Sequence, residues 1–294
     1  MLSTSDMPVQ FTRIAIVGTG LIGGSWGLAL KACGFEGRII GCDRPEVLKR
    51  GLELGAINEG QPDLSKAVLN SDLVILAAPV GVILEQLPHV RAAAPPQALV
   101  TDTGSTKRVV LERAREMFVG EPLFLGGHPL AGKEISGIEH ATATLFRGSR
   151  YVFTPLEVEH LEDGRVRAFQ ALVENVGAQP FVTDAESHDR ALAFLSHLPQ
   201  LLSTGLASLI ADEDRRASIP LELASAGFRD MTRLAEGPYS VWRDVCLTNG
   251  ENLKPALESL IHKLEGMKQH LDDQGLEEDF DQASQLRARW KQVR

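Results

Sequence analysis

The chain has 294 residues, 44% of them hydrophobic and 23% charged, and a formal net charge of −9. That length buries one large core or two ordinary ones, and the composition is that of a soluble globular protein. The acidic balance argues against a nucleic-acid or anionic-membrane binder, whose footprint is a basic patch, but it leaves room for an anionic small substrate held by a few local arginines.

The first strand is expected over Arg13–Val17, and it runs straight into G-x-G-x-x-G at Gly18, Gly20 and Gly23, with Leu21 and Ile22 between the last two glycines opening a helix over Leu21–Ala32. In that context Gly18 permits a tight turn, Gly20 lets the backbone approach a pyrophosphate, and Gly23 lets the helix pack closely on the sheet. The helix N-terminus then offers free N–H groups and the positive end of its dipole. A second strand, Arg38–Cys42, ends at Asp43, twenty residues after Gly23. A carboxylate there accepts from both ribose hydroxyls and repels a 2′-phosphate, which favours NAD over NADP. Arg44 is placed either to stack on adenine or to pair with a phosphate.

A helix over Pro45–Leu54 follows, then a third strand over Leu73–Ala77. The turn after it, LAAPV, carries Pro79, which fixes the backbone of what is either a cofactor wall or an ordinary strand-to-helix connection. Next come a helix over Val80–Val90, a strand over Leu99–Asp102, a helix over Lys107–Phe118, and strands over Leu123–Gly126, Tyr151–Thr154 and Gln179–Val182. The first four strands are continuous apolar runs, as expected where both sheet faces are covered. The βαβα order predicts an α/β unit over residues 1–184, a Rossmann-type doubly wound, mostly parallel sheet. Beyond Asp184 the periodicity is helical, as in LKPALESLIHKLEGMKQHL, so residues 185–294 read as an all-helical substrate and dimerisation domain of a homodimer, with Leu276–Arg294 as a solvated terminal helix.

The three cysteines, Cys33, Cys42 and Cys246, form no C-x-x-C pair and no metal-like spacing; they read as reduced thiols, and no metal is expected. The opening MLSTSDMPVQ lacks a basic region followed by an apolar run, and the longest nearly apolar run, Leu73–Leu84, is too short to span a bilayer. A cytoplasmic protein is expected.

Two loops at strand ends carry the chemistry. In GGHPLAGKEISG, His128 sits in a glycine-flanked loop before a proline rather than on an apolar helix face, and its ordinary pKa suits a proton acceptor near neutrality. In TDTGSTK, Ser105 can orient the imidazole or bond the same substrate oxygen, while Lys107 reads equally as a charge near the site or a helix-start residue. In the helical part, His188 and His197 are nine apart, do not share a face cleanly, and each alone reads as structural. Arg229 and Arg233 are four apart and share a helical face; they read as a carboxylate clamp or as members of an ion-pair network with Asp230, Glu236 or Asp244.

The ordered set GTGLIGGS, D-x-G-S-x-K, GGHPLAGKE-x-SG, HD, SHLPQ and GFRDMTR resembles the prephenate dehydrogenase family, which includes arogenate and cyclohexadienyl dehydrogenases; the likeness runs from about Ile14 to about Trp242. The resemblance implies oxidative decarboxylation of prephenate to 4-hydroxyphenylpyruvate with NAD, in tyrosine biosynthesis. It implies that His128 accepts the proton of the ring hydroxyl, that Ser105 bonds near that hydroxyl and the nicotinamide, that Arg233 holds a substrate carboxylate, and that Trp242 stands at the site's edge. Many members read S-H-L-P-H where this chain has Gln200, which donates a hydrogen bond but carries no charge. Competing readings are arogenate as substrate, with Asp230 or Asp189 taking its ammonium; a β-hydroxyacid-type dehydrogenase, which needs a helical lysine that the sequence does not offer; and a non-catalytic NAD sensor, which the acidic charge disfavours.

Overall fold

In this computed structural model, which describes residues 10–292, the sheet is built from short runs rich in Val, Ile and Leu. Its strands are β1 (Arg13–Val17), β2 (Arg38–Cys42), β3 (Glu59–Gly60), β4 (Leu73–Leu76), β5 (Leu99–Asp102), β6 (Leu123–Pro129), β7 (Arg150–Pro155) and β8 (Gln179–Val182), in the order β3-β2-β1-β4-β5-β6-β7-β8. Every neighbouring pair is parallel except β6 and β7. Strand alternation sends Ile14 and Ile16 into one apolar core, around Trp26 and Phe169, and Ala15 and Val17 into another, around Leu87 and Phe124, so each sheet face is closed by its own cluster.

The helices of this half are α1 (Leu21–Ala32), α2 (Pro45–Glu53), α3 (Leu64–Val68), α4 (Val80–Ala93), α5 (Arg108–Met117) and α6 (Gly164–Asn175). From β1 the chain builds toward β3 and then returns to the other side of β1 with β4. The order reverses there, and a crevice opens beyond the carboxyl ends of β1 and β4. The glycine turn sits in that crevice: a Cβ on Gly18, which has φ +89°, would meet the Ala77 carbonyl oxygen at 2.5 Å. At Gly23 a Cβ would meet the Gly18 carbonyl oxygen at 1.9 Å.

The remainder is helical: α7 (Ala185–Leu192), a π-helical turn over Ala193–His197, α8 (Leu198–Ala217), α9 (Ala226–Thr232), α10 (Tyr239–Thr248), α11 (Gly250–Gln269) and α12 (Glu277–Gln292). Helix α12 is exposed along its length. The run Ala185–Ala217 is long and apolar enough, by length and composition, to cross a membrane, and only 22% of that apolar window is buried within the chain. A search for uninterrupted apolar stretches misses it, because polar residues are spaced along it.

Three sequence expectations need correction. His128 does not lie in a loop: β6 continues through Gly126 and Gly127, and His128 pairs with Val152 of β7. These glycines are strand residues because neighbours crowd them; a Cβ on Gly127 would meet the Asp102 carbonyl oxygen at 2.6 Å. Arg229 and Arg233 do not act as a pair on one helix: α9 ends at Thr232, the chain tightens into a 3-10 turn from Arg233, and the two take different partners, Asp230 and Glu134. His188 and His197, which about 100° per residue would set half a turn apart, are both buried toward Asn249 and Asp189, because the π turn between them shifts the helical phase.

Gly127→Ala is expected to lower stability by about 1–3 kcal/mol, the usual cost of overpacking, read as a lower urea midpoint with unchanged slope. An unchanged midpoint would show that the close approach of β5 and β6 does not require glycine there.

Candidate active site

The turn from β1 into α1 has room and donors for a pyrophosphate. A Cβ placed on Gly20 meets nothing within 4 Å, and α1 has no side-chain cap on its first turn, so the N–H groups of Leu21, Ile22 and Gly23 are open among the described residues. At the end of β2, Asp43 is already oriented: Oδ2 accepts the Thr19 N–H at 2.8 Å and Oδ1 accepts the Arg44 N–H at 2.8 Å. The Arg44 side chain is exposed and lies near Asp43 and Glu46. Pro79 caps α4 on the facing wall of the crevice. The donor set and the carboxylate fit an NAD adenosine half.

Across the crevice the helical half is joined to the sheet half by carboxylates seated on helix N-termini. Asp244 of α10 accepts the Gly81 N–H at the start of α4, at 2.9 Å. Asp189 of α7 accepts the Lys107 N–H at 2.7 Å and the Arg108 N–H at 3.0 Å, at the start of α5. Each satisfies donors that a helix leaves unpaired and places negative charge at the positive end of its dipole.

Asp189 also accepts from His188, with Nδ1 to Oδ1 at 2.7 Å, and His188 Nε2 lies 2.9 Å from His128 Nδ1. His128 is half-buried, and its Nε2 has no hydrogen-bond partner among the described residues. Burial, then the neighbouring His188, Lys107 and His197, hold its imidazole well below the ordinary histidine pKa. It is therefore neutral at physiological pH and able to accept a proton. Burial raises the Asp189 carboxyl, but hydrogen bonds from His188 and the Arg108 and Lys107 amides outweigh it and keep the group below the usual carboxylate range.

Lys107 caps α5 with its backbone, while its fully buried ammonium pairs with Asp102 and donates to the Gly127 carbonyl at 2.8 Å. The helix-start reading of this residue holds, and its charge is turned beneath β6 rather than toward solvent. Asp102 Oδ1 accepts the Gly127 N–H at 3.1 Å, which ties β5 to the residue before His128. Ser105 is half-buried between β5 and α5, and its hydroxyl has no hydrogen-bond partner among the described residues.

The other sequence candidates gather on the helical side. Arg233 pairs with Glu134, six residues past His128, and not with Asp230, Glu236 or Asp244; Arg229 stays exposed beside Asp230. Gln200 is buried, its Nε2 donating to the Leu234 carbonyl at 2.8 Å and to Thr204 at 3.2 Å. The Trp242 ring stands edge-on to His197, with centroids 6.1 Å apart. Sequence reasoning missed Asn249, which bonds His197 and the Asp189 carbonyl and stands in no recognisable local pattern, and Glu134, which lies inside the GGHPLAGKE-x-SG motif but receives no role in the sequence reading. The HD pair was visible, but its meeting with His128 was not.

A doubly wound sheet with a glycine cradle, a ribose carboxylate and an unprotonated histidine under a helical second unit defines a two-domain, NAD-dependent oxidoreductase. Residues 26–182 match the family model for the prephenate dehydrogenase nucleotide-binding domain, and residues 184–285 the model for the prephenate dehydrogenase dimerization domain. The chain belongs to the prephenate dehydrogenase family. It is 33% identical over 287 residues to the prephenate dehydrogenase of Lactococcus lactis subsp. cremoris, covering 94% of this chain and 76% of that one. Among solved structures it superposes on A. aeolicus prephenate dehydrogenase in complex with hydroxyphenyl propionate and NAD+ with a TM-score of 0.84, at 28% identity, over 98% of this chain and 100% of that one. It superposes on Synechocystis arogenate dehydrogenase with a TM-score of 0.76, also at 28% identity, over 96% and 100%.

Burial pushes the His197 imidazole from 6.5 down to about 4. The unfolded chain therefore binds a proton here that the folded chain refuses. Stability is full above about pH 6.5 and falls as pH drops toward about 4, by roughly 3 kcal/mol for this group. Urea midpoints across that range should show it, and His197→Gln should flatten the slope; an unaltered slope would mean that other groups carry the dependence.

Proposed function

We propose that the protein oxidises prephenate, with NAD+ as hydride acceptor, to 4-hydroxyphenylpyruvate and carbon dioxide. The observation that carries this reading is the placement of His128, held at Nδ1 by His188, with no partner for Nε2 among the described residues, on the strand that leads toward the Glu134–Arg233 ion pair. NAD+, when bound, supplies the acceptor for the hydride leaving ring carbon C4.

His128 Nε2 takes the proton of the C4 hydroxyl as the carbonyl forms. Loss of the C1 carboxylate as carbon dioxide then returns an electron pair to the ring, and aromatisation makes the step strongly downhill. Ser105, with its hydroxyl uncommitted, orients the reacting oxygen. The Arg233 guanidinium, half exposed beside Glu134, offers a fork for a substrate carboxylate, which would share or displace Glu134. Gln200 and Trp242 line the helical wall. General-base transfer is worth about 10²–10⁴-fold, and positioning supplies much of the rest.

The arogenate reading needs a carboxylate free to take the side-chain ammonium. Asp189 is committed to His188 and to the α5 N-terminus, and Asp230 lies exposed beside Arg229, which supports prephenate over arogenate. Purified protein should form NADH rapidly from prephenate and slowly from arogenate, read as reduced-nicotinamide absorbance. His128→Asn should bind NAD normally and turn over about 10²–10⁴-fold more slowly. A faster reaction with arogenate would move the enzyme to the sister route, and near-normal turnover would remove His128 from the base role.

The same reading makes the protein a cytoplasmic homodimer. Its three cysteines are free, as suits a reducing compartment. Phe194, Leu195, Leu209, Leu257, Ile261 and Leu264 leave apolar surface exposed on the helices that fall in the region matched by the dimerization model. Light scattering should give twice the chain mass of 31.9 kDa; a single-chain mass at micromolar protein would overturn the dimer.

A further inference from the structure

The hydrogen bonds around His128, taken with an uncharged His188, specify which nitrogen of His128 carries the proton. An ionised carboxylate only accepts, so the contact between Asp189 and His188 places a proton on His188 Nδ1. A neutral His188 then has its lone pair on Nε2, and the 2.9 Å contact requires His128 Nδ1 to be the donor. The lone pair of His128 is left on Nε2, the ring nitrogen without a partner among the described residues. A proton on His128 Nε2 instead would leave two lone pairs facing each other, or would need a charged His188.

We propose that His188 and Asp189 are positioning residues that lock His128 into its base tautomer and take up, one histidine further in, the proton it removes from substrate. The tautomer follows from these hydrogen bonds with His188 neutral, the condition that the spectra test; the proton transfer rests on the prephenate reading. In that reaction the dianion of prephenate and NAD+ become the monoanion of 4-hydroxyphenylpyruvate, carbon dioxide and NADH, with no net proton released. The C4–H electron pair leaves as hydride, the O–H proton goes to His128 Nε2, and the C1–carboxylate pair enters the ring. The same proton must return to the phenolic oxygen. While it is held, the Nδ1 proton of His128 shifts to His188 Nε2. The cation then lies on His188, against Asp189, and His128 is a neutral donor at Nε2, poised to give the proton back.

The surrounding charges suit this. From β5 and α5, Asp102 and Lys107 face the cluster and neutralise each other. The Arg108 guanidinium turns outward to Glu112 and Glu251. From the π turn, His197 is neutral and bonded to Asn249. Asp189 is thus the one uncompensated charge, and a proton on His188 brings the buried group to neutrality. His188 and Asp189 are both nearly fully buried, so the held proton is kept from solvent.

The test is the imidazole nitrogen spectrum of the full-length, ligand-free protein at neutral pH, with signals assigned by their loss in His128→Asn and His188→Phe. Both His128 and His188 should be neutral with the proton on Nδ1, and in His188→Phe the His128 proton should redistribute to Nε2. A proton on His128 Nε2 in the wild-type protein overturns the proposal, whatever the substrate proves to be. In kinetics, His188→Phe should lower kcat about 10²-fold, with the KM for prephenate and the NAD dissociation constant within about threefold of wild type, and should shift the acid limb of the kcat pH profile. A kcat within about threefold of wild type would overturn the relay while leaving the prephenate reading intact. Absence of turnover in the wild-type protein would sink that reading and leave the tautomer to the spectra.

Discussion

The Asp189 carboxylate is where the two halves of the molecule become one site. Its two oxygens satisfy the first amides of α5, and one of them also holds the inner face of His188. A buried carboxylate is costly unless its lone pairs are filled, and here a helix N-terminus and an imidazole fill them. Truncating it would leave unpaired amides at α5 and free the histidine pair to rotate. The same group thus fixes the pose of the helical unit over the sheet and the orientation of the histidine pair.

Beneath it runs a second buried pair, Lys107 with Asp102. An ion pair with no solvent contact adds little net stability, because desolvation offsets most of the attraction. Its consequence is geometric. Lys107 reaches the Gly127 carbonyl and Asp102 the Gly127 amide, so the strand carrying His128 is held from both of its hydrogen-bonding groups. Glycine at 127 is what lets β5 approach closely enough for this. A rigid strand places a side chain more accurately than a loop does, which suits the role proposed for His128.

The cofactor cradle is built differently, from backbone and from one carboxylate that Thr19 holds in place. It belongs wholly to the sheet half. The groups that the proposed reading assigns to substrate come from both halves: His128 and Glu134 from one, Arg233, Gln200 and Trp242 from the other. Gln200 is tied to the Leu234 carbonyl, next to Arg233, so the uncharged residue at this position braces the segment that carries Arg233.

Much of this was legible in the residues in order. The apolar runs of β1, β2, β4 and β5, the helix Leu21–Ala32 and the glycine spacing are local patterns, and local patterns determine local structure and the cofactor turn. The motif order likewise determined the family. Tertiary structure decided the rest, for physical reasons that spacing does not encode. Gly127 looks like a loop residue after a strand ending at Gly126 until the crowding of neighbouring strands is known. Arg229 and Arg233 look like a pair until the helix ends between them. His188 and His197 look like separate core residues until a π turn rotates them to one side and Asp189 draws His188 against His128, 60 positions away in sequence. Hydrophobic period and turn chemistry act over a few residues, whereas a buried charge takes its partners from wherever the fold brings donors, and only the folded chain shows which those are.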